Sequence, residues 1–141
     1  MNKFAMAMLL GAAMAASACT HFLAVKQSSD RTYVHTNMKA VAVTAVQAIN
    51  ASNLAVQSSH TPVSGMVVIS AKGAKNPLLQ IEAPTLTLTL SELDRTRIHV
   101  EAAALLPGQS ADFGLTETMV TNVFKAMDAR LEAAGQAPHQ P

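Results

Sequence analysis

Residues Thr85-Leu86-Thr87-Leu88-Thr89-Leu90-Ser91 alternate hydroxyl and leucine without a break, and Arg97-Ile98-His99-Val100-Glu101-Ala102 repeats the two-residue period. That period puts every apolar side chain of a strand on one face, whereas a helix would spread them around its axis. The chain must therefore hold a β-hairpin with one oily face and one polar face. Parity sets the expected register: with Leu90 opposite Ile98, Leu88 opposite Val100 and Leu86 opposite Ala102, every apolar pair lands on one side, and Leu93-Asp94-Arg95 is the loop. An even-length loop would set leucines opposite Arg97 and His99, the one-residue slip that burial forbids. The polar face then pairs Ser91 with Arg97, Thr89 with His99 and Thr87 with Glu101. A sheet patterned this way is covered on one side only.

The cover is expected from two helices. Asn37 is a good capping residue after a short strand Tyr33-Val34-His35-Thr36, and Met38, Val41, Ala45, Ala48, Ile49 and Ser52 then recur at helical steps. The valines at 41, 43 and 46 also permit a strand, because β-branched side chains are mediocre helix formers; length and the alanines favour the helix. Near the other end, Leu115, Met119, Val120, Val123, Phe124, Met127 and Leu131 share a face, with Thr118, Asn122, Lys125, Asp128 and Glu132 mostly opposite and Asp112 available as cap. Between the helices, Leu54 to Gln57 and Met66 to Ala71 read as strands, with a loop from His60 to Gly65. Leu78 to Ala83 reads as a further strand or the start of the next, broken at Pro84. The expected fold class is α+β: an antiparallel sheet of four to five strands with two helices packed on one face, in strand-helix-strands-helix order.

The N-terminus constrains location. Lys3 precedes Phe4 to Ala16, a stretch with nothing polar, which has the charge, apolar core and small-residue end of a secretory signal peptide. It is shorter than the roughly 20 residues needed to span a bilayer. Ala16-Ser17-Ala18-Cys19 follows and resembles the lipobox of bacterial lipoproteins, in which the cysteine is diacylated and becomes the new N-terminus. Ala16 stands where that family more often has leucine, and ordinary cleavage near Ala16 or Ala18 is the competing reading. The only cysteine of the chain nevertheless falls where a lipobox requires it, and an exported thiol left unpaired would be open to oxidation. The resemblance implies an acylated Cys19 and membrane attachment, because several acyl chains exceed the two signals needed for stable anchoring. Thr20, in place of an aspartate, favours the outer over the inner membrane. The expected organisation is a signal peptide over 1–18, acylated Cys19 and a tether over 19–30, one domain over 31–134, and a frayed tail over 135–141 that carries Pro138 and Pro141.

The order of elements, with Val41, Ala45 and Ile49 spaced along the first helix and Leu54-Ala55-Val56 after it, resembles small bacterial lipoproteins grouped as a domain of unknown function. It is also similar to helix-grip domains of envelope lipoproteins, including those that accompany the outer-membrane β-barrel assembly machine. This chain departs from the pattern by lacking an aromatic after Val41 and by the extra stretch from Ala74 to Pro84. The resemblance implies no catalytic residues.

Composition removes other classes. One cysteine among 141 residues excludes an intrachain disulfide, and a net charge of +1 without a basic cluster argues against nucleic acid as a partner. His99 and Glu101 form an H-x-E pair, but the P-C-x-x-C that completes a zinc deaminase site is missing. Asp112-Phe113-Gly114 lacks the glycine-rich and catalytic loops of a kinase, and Ser110 with Asp112 lacks a nucleophile elbow. His35, His60 and His99 match no metal-ligand spacing. The expectation is a non-catalytic, lipid-anchored envelope module needing no cofactor or metal, whose interaction face is Thr87, Thr89, Arg97, His99 and Glu101 and whose partner is an envelope protein. The alternative is a carrier of a lipid or other apolar ligand between helix and sheet, with room left by Ala40, Ala45, Ala48, Ala102, Ala103 and Ala104. Clustering of three or more of His35, His60, His99, Glu101 and Asp112 in one hollow would instead revive an enzyme.

Overall fold

The computed structural model describes residues 25–74, 83–106, 114–135 and 138–139. The elements are β1 (Val25–Val34), α1 (Met38–Ala51), β2 (Ala55–His60), β3 (Met66–Lys72), β4 (Thr85–Asp94), β5 (Arg97–Leu106), α2 (Leu115–Ala133) and a two-residue β6 (Pro138–His139). The strands form one antiparallel sheet in the order β2-β3-β4-β5-β1-β6. This is the expected α+β arrangement, with five long strands and a short sixth.

Alternation decides which face is covered. Leu86, Leu88 and Leu90 of β4 and Ile98, Val100, Ala102 and Ala104 of β5 have no exposed surface. They form one contiguous core with Val41, Ala45, Ala48 and Ile49 of α1 and with Val123, Phe124, Met127 and Leu131 of α2. α1 packs over β2, β3 and β4, and α2 over β1 and β5. α1 starts where expected, with the Asn37 side chain accepting from the Ala40 N–H at 2.9 Å. Thr44 joins its buried face by returning its hydroxyl to the Ala40 carbonyl at 2.8 Å. α2 starts differently: its cap is Gly114, at φ 77°, with no side-chain cap, and Asp112 lies outside the described residues. Leu115, expected in the core, is 40% exposed, and Thr116 is buried in its place.

The hairpin keeps its faces and changes its partners. Leu90 pairs with Val100, Leu88 with Ala102 and Leu86 with Ala104, a slip of two residues from the expected register. The cause is Asp94, whose carboxylate accepts from the Thr96 N–H at 2.9 Å, the Thr96 hydroxyl at 3.2 Å and Arg97 Nε at 2.6 Å. That aspartate-held turn closes on Arg95 and Thr96, an even-length loop. A bulge between Glu92 and Asp94 absorbs Leu93 and restores the parity that the even loop would have broken.

β1 is longer than the sequence pattern predicts. Residues 25–30, expected in the tether, extend the strand so that Val25 through Val34 pair with Leu106 through Arg97. Pairing satisfies an edge of β5 along which the backbone donors and acceptors of every second residue would otherwise be exposed. The strand ends at Val34; His35 leaves it at φ 57°. Residues 138–139, expected in a frayed tail, pair with Tyr33 and Thr32. β2 runs on to His60, the expected first residue of the loop. The strand expected at Leu78 to Ala83 falls almost wholly outside the described residues, and Ala83 itself is not in a strand.

Candidate functional site

Among the described residues no element covers the second face of the sheet. Register lays its side chains out in cross-strand rows. Thr32 of β1, His99 of β5, Ser91 of β4 and Met66 of β3 share one row; Asp30, Glu101, Thr89 and Val68 share the next; Ser28, Ala103, Thr87 and Ser70 a third. The three rows, polar except for Met66, Val68 and Ala103, stand on paired strands as a stiff platform.

Its most structured part is around His99. Thr32 Oγ1 and His99 Nδ1 lie 3.1 Å apart, and His99 Nε2 lies 3.7 Å from Asp30 Oδ2. The second contact is an ion pair when the imidazole is protonated and too long for a hydrogen bond. Ser28, Ser29, Asp30, His99 and Glu101 line a shallow hollow of about 270 Å³. His99 is held by its neighbours at 30% side-chain exposure, whereas Asp30, at 64%, stands out into solvent.

All five expected face residues, Thr87, Thr89, Arg97, His99 and Glu101, alternate onto this face, with the pairing changed to Thr89–Glu101 and Ser91–His99. Arg97 is drawn to the hairpin end by its 2.6 Å contact with Asp94. Asp30 and Thr32, which contact His99 directly, escape the sequence reading because the polar run before Tyr33 predicts a tether rather than a strand. No period of two marks them, because Gln27, Ser29 and Arg31 on the other face are polar as well.

The other candidates do not converge. His60 is on edge strand β2, separated from β5 by β3 and β4, so about 14 Å of sheet lies between His60 and His99. His35 lies in the turn after β1. Among the described members of the possible enzyme cluster, His99 and Glu101 alone meet in this hollow. Among the described residues no group of three histidine, cysteine or acidic side chains is placed to hold a metal, and no helix is long and apolar enough to cross a membrane. Cys19, Ser110 and Asp112 lie outside the described residues.

Ala45, Ala48, Ala102 and Ala104 are fully buried in the core, and Ala40 and Ala103 are half-buried, Ala103 on the uncovered face opposite Thr87. Beneath β1 the sheet and α2 are joined by a polar clamp. Tyr33, with no exposed surface, donates its hydroxyl to Asp128 Oδ1 at 2.7 Å. The Arg31 guanidinium lies 4.9 Å above the Phe124 ring, with Nε 3.8 Å from Asp128 Oδ2. Burial first, and then the Asp128 hydrogen bond, push the Tyr33 phenol well above its ordinary range. Asp128, expected on the solvent side of α2, is therefore a seam residue.

No protein-family model matches the chain, and no curated protein does. Among solved structures it is similar to the ZhuI aromatase/cyclase from Streptomyces sp. R1128, at 12% identity over 79% of this chain and 89% of that one, with a TM-score of 0.31. That likeness is too slight to carry an argument about fold or function.

Proposed function

We propose that this is a non-catalytic envelope lipoprotein, held to its membrane through acylated Cys19, whose uncovered sheet face binds a partner protein. The observation that carries the reading is the face itself: Thr87, Thr89, His99 and Glu101, joined by Asp30 and Thr32, stand in rows on paired strands with no element over them among the described residues. An anchored domain also gains effective concentration toward neighbours on the same membrane.

The geometry around His99 supports binding over acyl-transfer chemistry. Thr32, His99 and Asp30 supply a hydroxyl, an imidazole and a carboxylate, but backbone N–H groups of paired strands lie in the sheet plane and are consumed by neighbouring strands. None is left to point at a developing oxyanion above the face. The lipobox residues Ala16 to Cys19 support the anchor, and only five residues separate Cys19 from the first residue of β1.

The test is photocrosslinking from Thr87 or Thr89 in intact cells. Wild type is expected to capture a defined envelope protein, and Asp30→Lys with Glu101→Lys to lose it while the melting temperature stays within a few degrees, because exposed charges contribute only about 0–1 kcal/mol to folding. Arg97 is left intact because it holds the turn. Unaltered capture by the double variant overturns the binding face. Cys19→Ser is expected to abolish acyl labelling and release the chain from membranes; unchanged labelling and membrane association overturn the anchor.

A further inference from the structure

Around Val43, between Lys39 and Gln47, the outward side of α1 is apolar where an exposed helix is ordinarily charged. The only charge of the helix is Lys39; beyond it Val43 is 50% exposed, flanked by Ala42 and Val46, which are half-buried against the core and keep part of their surface outward. Two hollows meet at Val43. One, of about 430 Å³, lies between the first turns of α1 and the last turn of α2, with Lys39, Ala40, Val43, Arg130 and Leu131 among its walls. The other, of about 310 Å³, continues along α1 past Ala42, Val46 and Gln47. Lys39 and Arg130 come from different helices to the same end; among the described residues no carboxylate lines either hollow and neither cation forms an ion pair, and Arg130 Nη1 donates to the Ala126 carbonyl at 3.3 Å, leaving its other N–H groups for a ligand.

We propose that this trough binds the anion of a single-chain fatty acid, with its carboxylate between Lys39 and Arg130 and its chain along Ala42, Val43 and Val46. Charge complementarity selects the head: two cations with no acidic neighbour favour an anion, and a guanidinium fork matches the two oxygens of a carboxylate. The apolar surface selects the tail: the first hollow lies between the two helices, and the second is a shallow depression on α1 alone, floored by Ala42, Val43 and Val46. From Lys39 to Gln47 the helix rises about 12 Å, a single file of apolar side chains one acyl chain wide. This site lies outside the two helices, away from the helix-to-sheet interior that Ala45, Ala48, Ala102 and Ala104 help to fill.

The test uses membranes isolated from cells expressing the full chain, without ATP, so that the probe is not activated and transferred. A fatty acid carrying a diazirine at its methyl end is photolysed and the adduct mapped by peptide mass spectrometry. Adducts are expected between Val43 and Gln47, competed by laurate but not by dodecanol of the same chain length. Lys39→Glu with Arg130→Gln is expected to reduce labelling at least tenfold. Val43→Arg, which blocks the tail and keeps both cations, is expected to do the same. Both are exposed-site changes that leave the core untouched. No labelling of wild type, undiminished labelling in the double variant, equal competition by dodecanol, or adducts on β4 and β5 would each overturn the proposal, the last by moving the ligand to the helix-to-sheet interior.

Discussion

Replacing Leu88 and Thr89 separately by alanine tests the premise on which the binding face depends, that this sheet is covered on one side. Leu88 has no exposed surface and pairs with Ile69 on β3 and Ala102 on β5. Leu88→Ala removes three carbons, about 2.4 kcal/mol of transfer free energy at about 0.8 kcal/mol each. A cavity term adds to this, because Ala102 is too small and the paired strands too stiff to close the gap, giving about 3–4 kcal/mol in total. Thr89 sits one residue away, opposite Val68 and Glu101 on the other face, and loses only strand propensity and partial contacts, under about 1 kcal/mol. At about 4–8 °C per kcal/mol for a domain of this size, Leu88→Ala should lower the melting temperature by on the order of 15 °C or more. The chain has no tryptophan and one tyrosine, so far-UV circular dichroism in denaturant is the suitable readout. An unchanged m-value would show that both variants unfold from the same compact state. Equal losses at the two positions would refute the reasoning, because they require a second layer over Thr89 and leave no open face for a partner.

Tyr33 is the only tyrosine, so its phenolate absorbance reports on the clamp to Asp128 without interference. Its raised folded pKa means that its stabilisation is fully present below the unfolded value of about 10 and is lost as pH climbs toward the folded one; wild type should lose up to about 1.4 kcal/mol per pH unit more than Tyr33→Phe in alkali. Parallel alkaline stability curves for the two proteins would exclude that coupling. The Asp94 carboxyl is held below its ordinary range first by the Thr96 backbone N–H and then by Arg97. Its contribution is present above about pH 4 and lost as pH falls through the folded value; in an NMR titration Arg97→Gln should raise the Asp94 midpoint only part of the way back, and full recovery would mean that the ion pair, not the turn, dominates. Gly73→Ala should destabilise by about 1–3 kcal/mol, since its new Cβ would lie 2.9 Å from Cγ of the buried Pro84 ring while the Gly73 N–H remains bonded to the Pro84 carbonyl at 2.8 Å; a neutral result in thermal denaturation would show that Pro84 yields easily.

Legibility in the sequence follows periodicity. The leucines of β4, the Val41 to Ile49 stripe of α1 and the Met119 to Leu131 stripe of α2 are core positions by their spacing alone, and they form the core. Pairing between distant segments leaves no such mark. β1 reads as a polar tether because Lys26 to Asp30 contains no apolar residue, and its strand character comes from β5, far along the chain, which needs a partner over its whole length. Arg31 and Asp128 look like solvent residues in isolation. Only when β1 lies beside α2 do Phe124 and Tyr33 give them a buried role.

The two-residue slip of the hairpin has the same origin and bears directly on the site. Hydrophobic parity distinguishes registers that differ by one residue, since those exchange the faces, but a slip of two returns leucine opposite valine or alanine with similar burial. The choice between such registers passes to the turn, where Asp94 collects two donors from Thr96 and one from Arg97. The consequence on the uncovered face is that His99 lies beside Ser91 and Glu101 beside Thr89, while the β1–β5 register separately sets Thr32 beside His99 and Asp30 beside Glu101, two carboxylates at the centre of the face. A face built this way favours a partner that brings cations or amide donors to Asp30 and Glu101 and acceptors to the flanking hydroxyls. Had the three-residue loop held, Arg97 would have faced Ser91, His99 would have faced Thr89 and Glu101 would have faced Thr87, moving the Asp30–Glu101 pair from beside Thr89 to beside Thr87 without separating it. One aspartate at the hairpin tip thus decides which β4 hydroxyls flank His99 and Glu101, about 7 and 14 Å along β5 from Arg97 and beyond the reach of its own side chain.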